Sequence, residues 1–145
     1  MKRKKWSILS ALLALLSFSA ACSQFGGANN PVEQIVTLCK TGKYKEAAKH
    51  FLNKSKCKDP NNIADCVLNY ESGDEKDKQG VQSLCEEVKG YVGASYTVGS
   101  EQAKEQKGAS FYQYNVEVKR GDKTEKQVWF FRKNGGDYVF AEIEK

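Results

Sequence analysis

The sequence is poor in proline, histidine and methionine, with two, one and one of them in 145 residues. So few prolines exclude a polyproline or collagen-like chain. A single histidine, His50, excludes a histidine-rich metal site, and neither HExxH nor a glycine-rich phosphate loop is present. There is no C-x-x-C pair, so the closely spaced thiolates of a structural zinc site are missing and no cofactor is implied. Charge of one sign is also scarce. Four of the 23 basic residues (Lys2, Arg3, Lys4 and Lys5) sit in an N-terminal leader, and without them 19 face 18 acidic residues, a net charge near +1. A near-neutral domain with Lys and Glu interspersed offers no footprint for a phosphate backbone, which argues against a nucleic-acid partner. What is there, 40% hydrophobic and 11% aromatic residues, suffices for a single core in one domain of ordinary size.

The leader pairs its basic residues with an uncharged stretch of 16 residues, Trp6 to Ala21, carrying Ile8, Leu9, Leu12, Leu13, Leu15, Leu16 and Phe18. A membrane-spanning helix needs about 20 residues at ~1.5 Å rise each, so the stretch reads as an export signal over residues 1–21. Small residues Ser19, Ala20 and Ala21 precede Cys22. That junction resembles the lipobox of bacterial lipoproteins, although Ser19 stands where the pattern has Leu. The resemblance implies diacylglycerol on Cys22 and a membrane anchor, and Ser23 beside it implies the periplasmic face of the outer membrane if the cell is Gram-negative. Plain cleavage after Ala21, releasing a soluble periplasmic protein, is the alternative. Residues 22–30, continuing as SQFGGANN, read as a flexible tether.

The folded domain is expected over residues 31–145. Pro31 suits a first helical position and Glu33 a first turn; Val32, Ile35, Val36 and Cys39 fall on one helical face, and Gly42 ends it. Tyr44, Ala47, Ala48 and Phe51 repeat the spacing, leaving His50 with Lys45 and Lys49 for the outer surface. After the turn Asp59-Pro60-Asn61-Asn62, the residues Ile63, Cys66, Val67 and Tyr70 predict two helical turns. The run 71–80, ESGDEKDKQG, reads as an exposed connector, and Val81, Leu84, Cys85 and Val88 as a helix ending near Gly90.

Beyond Gly90 the period changes to two. Tyr96 and Val98 mark a strand; Tyr112, Tyr114, Val116 and Val118 alternate with Gln113, Asn115, Glu117 and Lys119. Gly121-Asp122 predicts a hairpin turn into the aromatic strand Gln127 to Arg132, and Asn134-Gly135-Gly136-Asp137 a turn into the strand Tyr138 to Ile143. Helices followed by a four-stranded antiparallel sheet define an α+β fold.

Gly42, Tyr44, Ala47 and Ala48 in the helical link, Arg120-Gly121-Asp122 in the hairpin and Gly136-Asp137-Tyr138-Val139-Phe140 in the last strand resemble the NTF2-like, cystatin-like lipoprotein domains of unknown function. The resemblance runs from about Pro31 onward and implies helices packed on a curved sheet that forms a cone-like cleft. A cysteine-bearing insertion between Asn53 and Lys78 departs from it.

Lipidating Cys22 leaves Cys39, Cys57, Cys66 and Cys85, an even number in an oxidising compartment, so two disulfides are expected. Of three connectivities the favoured one joins Cys57 to Cys66 across the Asp59-Pro60 loop and Cys39 to Cys85 between two helix faces. Spacing alone does not rank it above the others.

No catalytic triad is evident, since His50 is the sole imidazole. Isomerase-like members of the resembled fold use a carboxylate base beside a tyrosine, yet no carboxylate falls on the face of Tyr112 and Tyr114, and Glu117 lies opposite. The aromatic residues Tyr112, Tyr114, Trp129, Phe131 and Tyr138 are the candidate binding surface. The function expected is a membrane-tethered, non-catalytic binding or accessory lipoprotein of the cell envelope with a protein partner. A small-molecule-binding or isomerase-like protein is the alternative, as is an inhibitor of a secreted hydrolase inserting the Gly121-Asp122 tip.

Overall fold

The computed structural model describes residues 30–59, 61–71 and 75–145. The leader, Cys22 and the tether up to residue 29 lie outside the described residues. Pro31–Lys145 is one compact unit of α+β architecture, with three α-helices, one 3-10 turn and a five-stranded antiparallel sheet among the described residues.

Helix α1, Pro31–Lys40, forms as its pattern dictates, with Val32, Ile35, Val36 and Cys39 buried along one face. It closes in a Schellman arrangement. Gly42 takes φ +68°, its N–H donates to the Cys39 carbonyl at 3.3 Å, and Lys43 N–H donates to the Leu38 carbonyl at 2.9 Å. Helix α2, Tyr44–Ala48, is cut short. The N–H groups of His50 and Phe51 reach back three residues instead of four, to Ala47 and Ala48, and this tightening turns the chain out of helical phase.

The segment after α2 pairs with backbone instead of coiling. Phe51 bridges to Phe140 of the last strand and Leu52 bridges to Val67, with Leu68 N–H donating to the Phe51 carbonyl at 3.0 Å. The two helical turns expected after Asn62 are therefore a single 3-10 turn, Ile63–Cys66, because Val67 swings to extended backbone to make that bridge. Both favoured disulfides are present, Cys39 to Cys85 and Cys57 to Cys66, at Cα separations of 4.9 and 4.8 Å.

Helix α3 spans Glu75–Val92, so the expected connector at 71–80 is helical from Glu75 and the helix outruns Gly90 by two residues. Glu75 and Asp77 complement the N-terminal dipole, and Lys56 Nζ grips both carboxylate oxygens of Asp77 at 2.9 Å. At the other end Arg120 donates to the carbonyls of Gly90 and Tyr91 at 2.8 Å each, and Gln127 donates to Tyr91 at 3.0 Å. Sheet side chains thus satisfy carbonyls that a helix C-terminus leaves unpaired.

The strands are β1 (Ser95–Val98), β2 (Gln102–Gln106), β3 (Ala109–Arg120), β4 (Lys123–Asn134) and β5 (Asp137–Glu144), one more than expected. β2 escapes the apolar pattern because all five of its residues are exposed; backbone pairing to β3 alone defines it. β1 and β2 share one edge of β3, with β4 and β5 beyond. Two-residue turns at Gly121-Asp122 and Gly135-Gly136 join the last three strands, and in each the first glycine takes φ near +60° (+62° and +61°), as a type II′ hairpin demands.

Register places Tyr114 opposite Trp129, Tyr112 opposite Phe131 and Val116 opposite Gln127, so these six side chains share one face. Tyr114, Val116, Val118, Trp129 and Phe131 on that face join the buried faces of α1, α2 and α3 in one contiguous core.

Candidate functional site

All five aromatic residues expected at a binding surface lie on this inner face, but their exposure differs sharply. Trp129 and Phe131 are 0% exposed and Tyr114 is 5% exposed, so these three are core and offer no accessible surface. Tyr112 and Tyr138 are half-buried. Aromatic neighbours fix them at right angles: the Tyr112 and Tyr138 rings cross at 86° with centroids 5.8 Å apart, and Tyr114 meets Phe131 at 86° and 5.7 Å. Such edge-to-face pairs add about 0.5–1.5 kcal/mol each beyond area burial and hold the ring planes.

Two charged residues that the sequence pattern did not bring here complete the site. Val98 pairs with Val116 and Gln102 with Gln113, so Gly99, Ser100 and Glu101 stand against only Asn115 and Tyr114 on β3. This is a β-bulge, and it turns Glu101 onto the inner face. Its carboxylate accepts hydrogen bonds from the phenols of Tyr114 and Tyr138. The expectation that no carboxylate meets Tyr114 on this face is thereby corrected. An isolated glycine within a strand pattern, Gly99, was the signal for it. Lys133, at the end of β4 opposite Tyr138, sets its ammonium 4.3 Å from the Tyr112 ring centroid and 4.9 Å from that of Tyr138. Glu101 and Lys133 are both exposed.

The electrostatics hold Glu101, Tyr114 and Lys133 in their ordinary charge states. Burial pushes the Glu101 carboxyl up, but the Tyr114 and Tyr138 hydrogen bonds and the Lys133 charge together leave it below the usual carboxylate range. The Tyr114 phenol is driven far above its usual range, first by burial and then by its bonds to Glu101 and Tyr138. The hydrogen bond to Tyr138 raises Lys133, against a smaller desolvation effect. At neutral pH Glu101 is therefore an anionic acceptor, Tyr114 a neutral donor and Lys133 a cation, and none of these three is poised to exchange a proton.

His50 is not at the surface as expected. It is 0% exposed, because the shortened α2 rotates it inward against β5. Its Nδ1 lies 2.7 Å from the Tyr138 carbonyl, which only accepts, so Nδ1 carries the proton. Nε2 meets no hydrogen-bond partner among the described residues. Burial lowers its pKa first, and Lys49 adds to this, against the opposing pull of the Tyr138 carbonyl and Asp137.

The Gly121-Asp122 tip is exposed but only two residues long. The described residues contain no cluster of three metal-ligating side chains and no helix long and apolar enough to cross a membrane. No protein-family model matches the chain, and comparison with curated proteins and with solved structures likewise gives no match.

Proposed function

We propose that the chain is a lipid-anchored, non-catalytic binding module of the bacterial cell envelope. Residues 1–21 direct export, Cys22 bears the lipid, residues 22–30 tether the domain, and the domain follows the NTF2-like, cystatin-like plan of helices on a curved sheet. It engages a protein partner through the corner formed by Tyr112, Tyr138, Glu101 and Lys133. The observation that carries this reading is the fixed, half-exposed arrangement of perpendicular rings and opposite charges in that corner. Aromatic anchors with satisfied polar neighbours suit recognition, because ordering them costs little on binding. The isomerase-like alternative could draw on Glu101, yet a carboxylate bonded to two phenols and held below its usual pKa is a weak base at neutral pH.

Cross-linking in the envelope followed by affinity purification and mass spectrometry tests the proposal. Tyr112→Ala and Tyr138→Leu should each deplete a stoichiometric partner while the thermal unfolding transition stays cooperative. Undiminished capture by both variants would place the interface elsewhere, and a co-purifying small molecule would favour the cleft alternative. Mass spectrometry of the mature N-terminus checks Cys22, since an unmodified Cys22 removes the anchor.

A further inference from the structure

The corner already holds a lysine. Lys133 reaches it from the end of β4 and lays its ammonium over two aromatic faces, 4.3 and 4.9 Å from their centroids, within the electrostatic influence of the Glu101 carboxylate. Perpendicular rings with a carboxylate at the wall are the composition that recognises an organic ammonium ion. Both walls have fixed partners besides Lys133. Tyr138 is fixed by its bond to Glu101 at 2.5 Å and by edge contact with Phe131 at 90°; Tyr112 is fixed by the Tyr138 ring and by its register opposite buried Phe131. The occupant, by contrast, is an exposed side chain on a flexible four-carbon stem, held by its cation–π contacts and its hydrogen bond to Tyr138.

Resting on the binding-module reading, we propose that this corner is a receptor for a lysine side chain of the protein partner, with Lys133 as its resident competitor. The partner's ammonium enters by exchange with Lys133, so the walls need no rearrangement. That a lysine of the chain itself seats there is what identifies the ligand class: a primary ammonium on an alkyl stem lies over Tyr112 and Tyr138 and feels the Glu101 charge. Intramolecular occupancy keeps the isolated protein's affinity for free amines low. Removing the competitor should reveal the site.

The test uses the full-length protein in a maltoside micelle, which carries no cation, titrated with Nα-acetyl-lysine methylamide and followed through the ring resonances of Tyr112 and Tyr138. Lys133→Gln should bind the lysine analogue saturably in the millimolar range, about tenfold more tightly than the unaltered protein, because one or two cation–π contacts no longer compete. The uncharged norleucine analogue should not bind, and Glu101→Gln in the Lys133→Gln background should weaken lysine binding severalfold. Absence of a saturable response in Lys133→Gln, or an equal response to norleucine, overturns the proposal. So does selective binding of ethanolamine-headed lipid bicelles in preference to the lysine analogue, which would assign the corner to the membrane. If the lysine analogue fails while Tyr138→Leu still abolishes partner capture, the ligand assignment falls and the binding module stands.

Discussion

His50 carries its proton on Nδ1, spends it on the Tyr138 carbonyl and keeps Nε2 bare in the interior. Charging it would bury a donor with nothing to receive it, which is why its folded pKa lies below the ordinary histidine value. The sign of the consequence follows from proton uptake. Above the ordinary value both states are neutral and pH has no effect. As pH falls below it, the unfolded chain binds a proton that the folded chain refuses, so stability declines until the folded imidazole itself titrates. Glu101 and Glu125, both held below the ordinary carboxyl range, stay ionised in the folded state through this window. Urea unfolding from about pH 7.5 to about pH 5.5 should show this loss, and His50→Gln should flatten it. Equal slopes in the two proteins would remove His50 as the cause. Trp129 makes a second claim at this scale. It is 0% exposed, stacks on Phe131 at 25°, and donates Nε1–H to Gln127 at 2.8 Å. Trp129→Ala should therefore cost about 3–5 kcal/mol of stability, acting on the fold and not on a surface. A loss below about 1 kcal/mol in the same denaturation experiment would contradict this placement.

At the scale of elements, α1 and β3 were legible because burial repeats along them, at i, i+3, i+4 and i+7 from Val32 to Cys39 and at every second residue from Tyr114 to Val118. The parts that were not legible are those where something other than an apolar stripe decides. β2 is held by backbone pairing with no buried side chain, and Glu101 reaches its site through a bulge that shifts register by one residue. The first turns of α3 contain no large apolar residue; Glu, Lys and Gln favour helix there, and a tertiary ion pair fixes it. Asp77 is 4% exposed and its partner Lys56 comes from the loop before the 3-10 turn, a pairing that periodicity cannot show. Asp77→Ala should cost about 1–3 kcal/mol, since the pair is charged and one end is buried. Hydrogen exchange should accelerate across Glu75–Gly80 while Val81–Val92, buried against the core at Val81, Cys85, Val88 and Val92, keeps its protection. Uniform loss along α3 would mean that the helix opens as one unit.

Across the whole molecule the two disulfides do different work because they lie in different places. Cys39–Cys85 joins α1 to α3 inside the core, with its cysteines 1% and 0% exposed. Cys57–Cys66 clips the loop that follows the Leu52 bridge, and Cys57 is partly exposed. In the chain-entropy model the longer loop contributes roughly 4 kcal/mol and the shorter about 3, so length alone separates them little. Access separates them more. A thiolate must approach a sulfur to exchange with it, and only the Cys57–Cys66 bridge admits that approach from the native state. Opening it releases a segment tied to the rest by the Leu52 to Val67 bridge, the Leu68 to Phe51 hydrogen bond and the Lys56 grip on Asp77, so the opening is local. The Cys39–Cys85 bridge becomes reachable only when the α1 and α3 faces part, which is global unfolding. Mild reduction followed by alkylation and peptide mapping should therefore label Cys57 and Cys66 well before Cys39 and Cys85, and the slower rate should follow added urea while the faster one does not. Simultaneous labelling of all four cysteines, or a fast phase that tracks denaturant, would show that the loop and the core open together.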